Sequence, residues 1–315
     1  MKPIIDLHQD LMLYVSRPDL YQNTNQTSFD QIKNNNIKIT VASAFPAPEN
    51  DEFLNPITNI LIEKDLIEYN EYVKDHPEFK IIRSKNDIDE VLETENVYGL
   101  ILHIEGLNVF NPETDWELLQ KWYNLGVRSI GPVWNLSNPF GGGTIEQGGL
   151  TDLGKQLIRW CEEKGVIFDF AHMNEETFWD AQKIVTKPVF VSHGNARSIC
   201  EDIRNYTGDQ IKTIAHTGGT IGMFFSKKFI SKNDQPTIND VIKHIDHIKD
   251  LVGIDYISVG SDFGGIISGF AEGLNSVDDL QNLRNKLNSK GYSEEVLDKI
   301  FFTNALRVLK EFFRK

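Results

Sequence analysis

The chain has 315 residues, of which 40% are apolar, and a formal net charge of −14. That apolar content can bury a large core, which excludes a disordered chain, and the acidic balance without a Lys/Arg run argues against a non-specific nucleic-acid binder. Its two cysteines, Cys161 and Cys200, leave no disulfide framework and no thiolate cage for zinc.

In chain order, the first element is a strand at IIDLH (residues 4 to 8), running into Gln9 and Asp10. Alternate residues of a strand share a face, so His8 and Asp10 are expected to project together. MKPIIDLH enters this strand without an apolar signal segment, so a cytoplasmic protein is expected. The polar stretch YQNTNQTSFDQIKNNN (21 to 36) reads as a loop, and KITVASAF (38 to 45) as the second strand. A helix is predicted in NPITNILIEKDLIEYNEYVKDH (55 to 76), from apolar residues at helical spacing.

The third strand, YGLILHIE (98 to 105), ends in Glu105, and the fourth is VRSIGPVW (127 to 134). The glycine-rich run NPFGGGTIEQGG (138 to 149) lacks a following P-loop Lys-Ser/Thr, so a mobile lid is expected rather than a phosphate cradle. TDLGKQLIRWCEEKG (151 to 165) opens on a threonine cap and closes on Gly165. Strands follow at VIFDFAH (166 to 172), PVFVSH (188 to 193), GTIGMFF (219 to 225) and YISVGSD (256 to 262). Between the last two, TINDVIKHIDHIKDL (237 to 251) reads as a surface helix with His244 and His247 solvated. The C-terminal NALRVLKEFFRK is an amphipathic helix with no lipidation signal. No run is long enough to span a membrane, and no linker or repeat divides the chain.

Eight strands alternating with helices predict an α/β fold, a single (β/α)8 TIM barrel spanning residues 1–315. In such a barrel the reactive groups stand at the C-terminal ends of the strands. His8, Asp10, Glu105, His172, His193 and Asp262 all occupy such ends. Taken singly, a strand-end histidine is an ordinary core residue, and a carboxylate there is an ordinary helix cap. Together they point to metal, because burying several carboxylates without a cation is strongly unfavourable. Imidazole and carboxylate without thiolate suit a hydrolytic zinc, manganese or iron site. The number of donors suggests two ions with a shared carboxylate.

The segments IDLHQD, HIEG, FDFAHMN, VFVSHGNARSICEDIRN and VGSDFGG, in this order, resemble the membrane dipeptidase (renal dipeptidase, peptidase M19) family of the amidohydrolase superfamily. LGVRSIGPVWN, GGLTDLG and NALRVL extend the likeness over nearly the whole chain. The resemblance implies a binuclear zinc dipeptidase, with His8 and Asp10 on one ion, His172 and His193 on the other, and Glu105 bridging them. It implies that Asp262 is the catalytic carboxylate and that Arg204 grips the substrate's terminal carboxylate, a task suited to a planar guanidinium. The nearby Arg197 is expected to be a solvated helix residue, and His103, deeper on its strand, a packed one.

One departure stands out. Where the mammalian-type pattern has a histidine after the fourth strand, this chain has Trp134, followed by Asn135. Tryptophan offers one indole donor and no proton shuttle. Both residues are expected at the substrate, Trp134 as a wall or a single donor. The expected partner is a small dipeptide-like molecule, including those with a C-terminal D-residue, with no nucleic acid or membrane involved; family analogy suggests a homodimer. Two other functions compete: a metal-dependent amidohydrolase acting on an N-acyl amino acid or cyclic amide, and a non-catalytic barrel that binds a metal or ligand.

Overall fold

The computed structural model describes residues 1–12, 25–45, 59–108, 110–111, 115–266 and 268–313. Among them nine strands occur: β1 (Ile4–Gln9), β2 (Ile37–Ala44), β3 (Phe79–Ile81), β4 (Tyr98–Glu105), β5 (Val127–Gly131), β6 (Ile167–Phe168), β7 (Phe190–Gly194), β8 (Thr220–Met223) and β9 (Ile257–Val259). All eight strands expected from the sequence are present. β3 is the addition, and its three residues are too few to reveal a period.

The chain divides into two compact units, each discontinuous in sequence. The first comprises Met1–Leu11, Thr24–Thr40 and Pro188–Glu311. Within it the strands run β1-β9-β8-β7, all parallel, with Asp6 opposite Val259 and Ile221 opposite both Ile257 and Val191. The second comprises Met12–Asn23, Val41–Lys187 and Phe312–Lys315. Here β3, β4, β5 and β6 pair in that order, also in parallel, with Ile104 opposite Ile130 and Ile130 opposite Phe168. Every residue of β1 and of β4 is buried, the pattern of strands covered by helices on their outer side and by side chains on their inner side.

The helices form where caps and apolar stripes agree. The helix Asp152–Lys164 starts where Thr151 accepts from the Gly154 amide and stops where Gly165 turns to φ 71°, as its sequence predicts. The helix Ile238–Val252 carries a capping box of Thr237 and Asp240, and the predicted helix after residue 55 is described as Asn59–Asp75.

Four expectations need correction. The loop expected over 21–36 contains a helix at Phe29–Asn34, capped by Ser28 and burying Phe29 and Ile32; two apolar residues in a polar stretch gave little periodicity, and residues 21–24 lie outside the described residues. His244 is fully buried, not solvated, because it shares a face with Val241, Ile245 and Ile248. Its Nδ1 accepts from the Ala196 amide at 3.1 Å and its Nε2 donates to the Ile230 carbonyl at 2.8 Å. Burial lowers its pKa to about 4. Arg197 is no solvated helix residue: its Nε donates to the Asn205 carbonyl and its amide to the Tyr206 carbonyl, closing the 197–206 loop. The glycine-rich run expected as a lid is bound down, with Thr177 Oγ1 donating to the Gly142 and Gly148 carbonyls and Asn174 Nδ2 to those of Glu146 and Gly148. His103 is packed as expected, its Nδ1 2.8 Å from Ser129 Oγ and its Nε2 3.8 Å from Asp169 Oδ2.

Candidate metal centre

The first unit carries His8, Asp10, His193, Arg204 and Asp262. β1 delivers His8 at its end, and Asp10 follows immediately, its amide donating to the Phe263 carbonyl. As the two-residue period requires, the side chains stay together: His8 Nε2 lies 3.6 Å from Asp10 Oδ2. It also lies 3.5 Å from Asp262 Oδ1. The rings of His8 and His193 approach to 4.3 Å between centroids. His193 engages Ser192 Oγ through Nδ1 at 2.9 Å.

Ligand atoms of His8, His193 and Asp262 all lie within 4.8 Å of one another. Asp10 is 2% exposed, and its Oδ1 is buried without a hydrogen-bond partner. Buried carboxylate oxygens among imidazoles call for a cation, and the donor set fits zinc. Asp262 has φ 61°, a left-handed conformation that non-glycine residues adopt uncommonly, aspartate more readily than most.

Arg204 is 4% exposed and lies behind His193, to whose carbonyl its Nη2 donates at 3.1 Å. Its Nε and Nη1 are buried with no hydrogen-bond partner. The guanidinium carbon stands 5.5 Å from the centre of the Phe224 ring, which packs edge-on to His193 at 5.1 Å. A buried cation with two nitrogens lacking partners has donors to offer an anion.

The second unit carries Glu105, Trp134, Asn135 and His172. Glu105 closes β4, and His172 follows β6 in a left-handed conformation, φ 63°. His172 Nε2 is 3.1 Å from Glu105 Oε1. Thr144, which sequence reading did not single out, donates its hydroxyl to the His172 carbonyl at 3.0 Å and lies 3.4 Å from His172 Nδ1. Only a loop contact links the two, so no motif announces it. Trp134 lies past the end of β5, which is shorter than expected, and its ring is 6.0 Å from that of His172 and 4.9 Å from that of Phe45. Asn135 is half-buried, and its carbonyl accepts from the Ile145 amide.

The model of the membrane dipeptidase family, peptidase family M19, matches residues 1–314. A protein of Klebsiella pneumoniae named only for its gene's place in the pqqA 5′ region is 36% identical over 248 residues, 75% of this chain and 90% of that one. Dipeptidase 3 of Mus musculus is 24% identical over 98% of this chain, which spans 64% of that protein's length. Among solved structures, a metallopeptidase from Rhodobacter sphaeroides, liganded with a phosphinate mimic of L-Ala-D-Ala, superposes with a TM-score of 0.87 at 22% identity, covering 99% of each chain. That likeness identifies the fold as the (β/α)8 kind of α/β protein.

Proposed function

Because the chain belongs to the membrane dipeptidase family, peptidase family M19, we propose that it is a binuclear zinc dipeptidase that hydrolyses the single peptide bond of small dipeptides, including those ending in a D-residue. The observation that carries the proposal is Arg204: a buried guanidinium, hydrogen-bonded to the backbone of His193, with two nitrogens lacking a partner. A dipeptide presents a free carboxylate one residue beyond its scissile carbonyl. The Rhodobacter protein's L-Ala-D-Ala mimic supports the stereochemical part.

His8, Asp10, Glu105, His172 and His193 would hold the two zinc ions. Once bound, these would supply Lewis-acid charge to acidify water and polarise a carbonyl oxygen. Asp262 takes the proton from the attacking water and delivers it to the departing amine. Its Oδ1 lies 3.5 Å from Nε2 of His8, which places the carboxylate beside a residue that would hold the metal. Arg204 fixes the substrate by its carboxylate, so the scissile bond is held in register with Asp262. Trp134 and Asn135 border the substrate, and the indole contributes a single N–H where a histidine could have shuttled a proton. No covalent intermediate is needed.

The test is release of free amino acids from L,L- and L,D-dipeptides by zinc-loaded protein, with Asp262→Asn alongside. Turnover that requires both zinc and Asp262, with two ions per chain by elemental analysis, is the expected result. Silence across the panel with zinc bound would overturn it. No described helix is long and apolar enough to cross a membrane. A cytoplasmic homodimer completes the proposal, to be checked by cell fractionation and light scattering.

A further inference from the structure

Asp262 stands at φ 61°, a left-handed conformation that aspartate visits more readily than most residues but still uncommonly. The turn that contains it is anchored through its backbone. Ser261 N donates to Asp6 Oδ1 at 2.9 Å, Asp262 N to the His8 carbonyl at 3.0 Å, and Phe263 N to Ser261 Oγ at 3.2 Å. Gly264 N donates to Gln26 Oε1 at 2.8 Å, and Gly265 N to the Asp262 carbonyl at 3.2 Å. Successive amides from 261 to 265 are thus all satisfied, two of them by side chains from distant parts of the first unit.

Asp6 is the hub of this arrangement. It is fully buried, and its Oδ2 accepts from Ser261 Oγ and, at 2.7 Å, from Gln9 Nε2. Ser261 Oγ donates to Asp6 and accepts from Phe263, so one hydroxyl passes the constraint across the residue that lies between them. Gln26 closes the far side, its Nε2 donating to the Ile266 carbonyl at 2.8 Å. Gly265 leaves the carboxylates room: a Cβ there would collide with Asp10 Oδ2 and come within 3.1 Å of Asp262 Oδ1.

We infer that Asp6 is a positioning residue that works through Ser261 to hold Asp262 in its left-handed conformation, aimed at the reacting atoms. The inference rests on the catalytic role proposed above for Asp262. A buried carboxylate in the middle of β1 has a plain structural role available, accepting from the His8 amide at 3.3 Å and from Gln9 Nε2 on its own strand. What points beyond it is the target of its bonds: Asp6 takes both the amide and the hydroxyl of the residue preceding Asp262.

The experiment pairs Ser261→Ala with Asp262→Asn, singly and together, in the zinc-loaded full chain, with Asp6→Asn as a further variant. Ser261→Ala keeps the backbone and removes only the hydroxyl, so it carries the test if Asp6→Asn does not fold. The expected result is a fall in kcat of about 10- to 100-fold with KM and zinc content unchanged, the scale of an ångström-sized misplacement of a reacting group. Amide hydrogen exchange at Phe263 should accelerate about tenfold, from loss of its acceptor. In the Asp262→Asn background Ser261→Ala should cost almost nothing more, because the group it aims is already gone. Wild-type kcat in Ser261→Ala, or an equal loss in both backgrounds, would overturn the inference while leaving the role of Asp262 intact. Wild-type turnover in Asp262→Asn alone would overturn that role and the inference with it.

Discussion

Replacing Arg204 by Met separates a binding role from a structural one. The guanidinium is 4% exposed, donates once to the His193 carbonyl, and keeps Nε and Nη1 without partners. If those two nitrogens receive the substrate carboxylate, their loss removes two charge-assisted hydrogen bonds of about 1.5–3 kcal/mol each, a fall in kcat/KM of about 10²–10⁴-fold. Stability should respond in the opposite sense. A buried guanidinium with idle donors carries an uncompensated desolvation cost, so an apolar residue of similar length should leave the fold at least as stable, by about 0–1 kcal/mol. The assay compares kcat/KM for a dipeptide and for its C-terminal amide, with urea unfolding alongside. The wild type should prefer the free acid by about 10²-fold or more and Arg204→Met should lose that preference, since the amide offers Arg204 no charge. An equal loss on both substrates, or a loss below tenfold on the dipeptide, would refute the reasoning.

His244 makes the fold acid-sensitive. Its pKa is lowered to about 4 by burial, so between pH 6.5 and 4 the unfolded chain binds a proton that the folded chain refuses. Stability therefore rises with pH across that window, and urea unfolding at pH 7 and pH 4.5 should differ by about 2–3 kcal/mol from this residue alone, a difference that shrinks in His244→Gln. Thr144→Val should weaken zinc binding about tenfold in chelator competition by releasing the His172 backbone, with about 1 kcal/mol lost from the fold; unchanged affinity would count against a role in orienting that ligand. A single domain over residues 1–315 predicts one calorimetric unfolding transition whose van't Hoff and calorimetric enthalpies agree, although each compact unit is assembled from separate stretches of chain. Two resolved transitions would show that the units unfold independently.

Much of the grouping of the candidate site residues was readable from the chain alone because its signals are local. Apolar runs of strand length ended in His8, Glu105, His193 and their fellow donors, and the period of two kept His8 and Asp10 on one side of β1. Thr151 and Gly165 bracketed their helix for equally local reasons, an accepting hydroxyl at one end and a left-handed turn at the other. Less readable were the points where strands stop. Sequence carried β6 through to His172, whereas the ladder ends at Phe168 and the backbone then turns to aim the imidazole.

The order and type of the donors, the alternation of strands and helices, and hence the α/β class follow from residue identity and periodicity, which act over a few neighbours. The inward side of His244, the partners of Arg204 and the clamp of Asp6 on Ser261, 255 residues away, were decided by tertiary structure. Burial and hydrogen-bond satisfaction depend on what packs from elsewhere in the chain, and a polar residue's neighbours in sequence do not say whether water or a distant backbone will meet it.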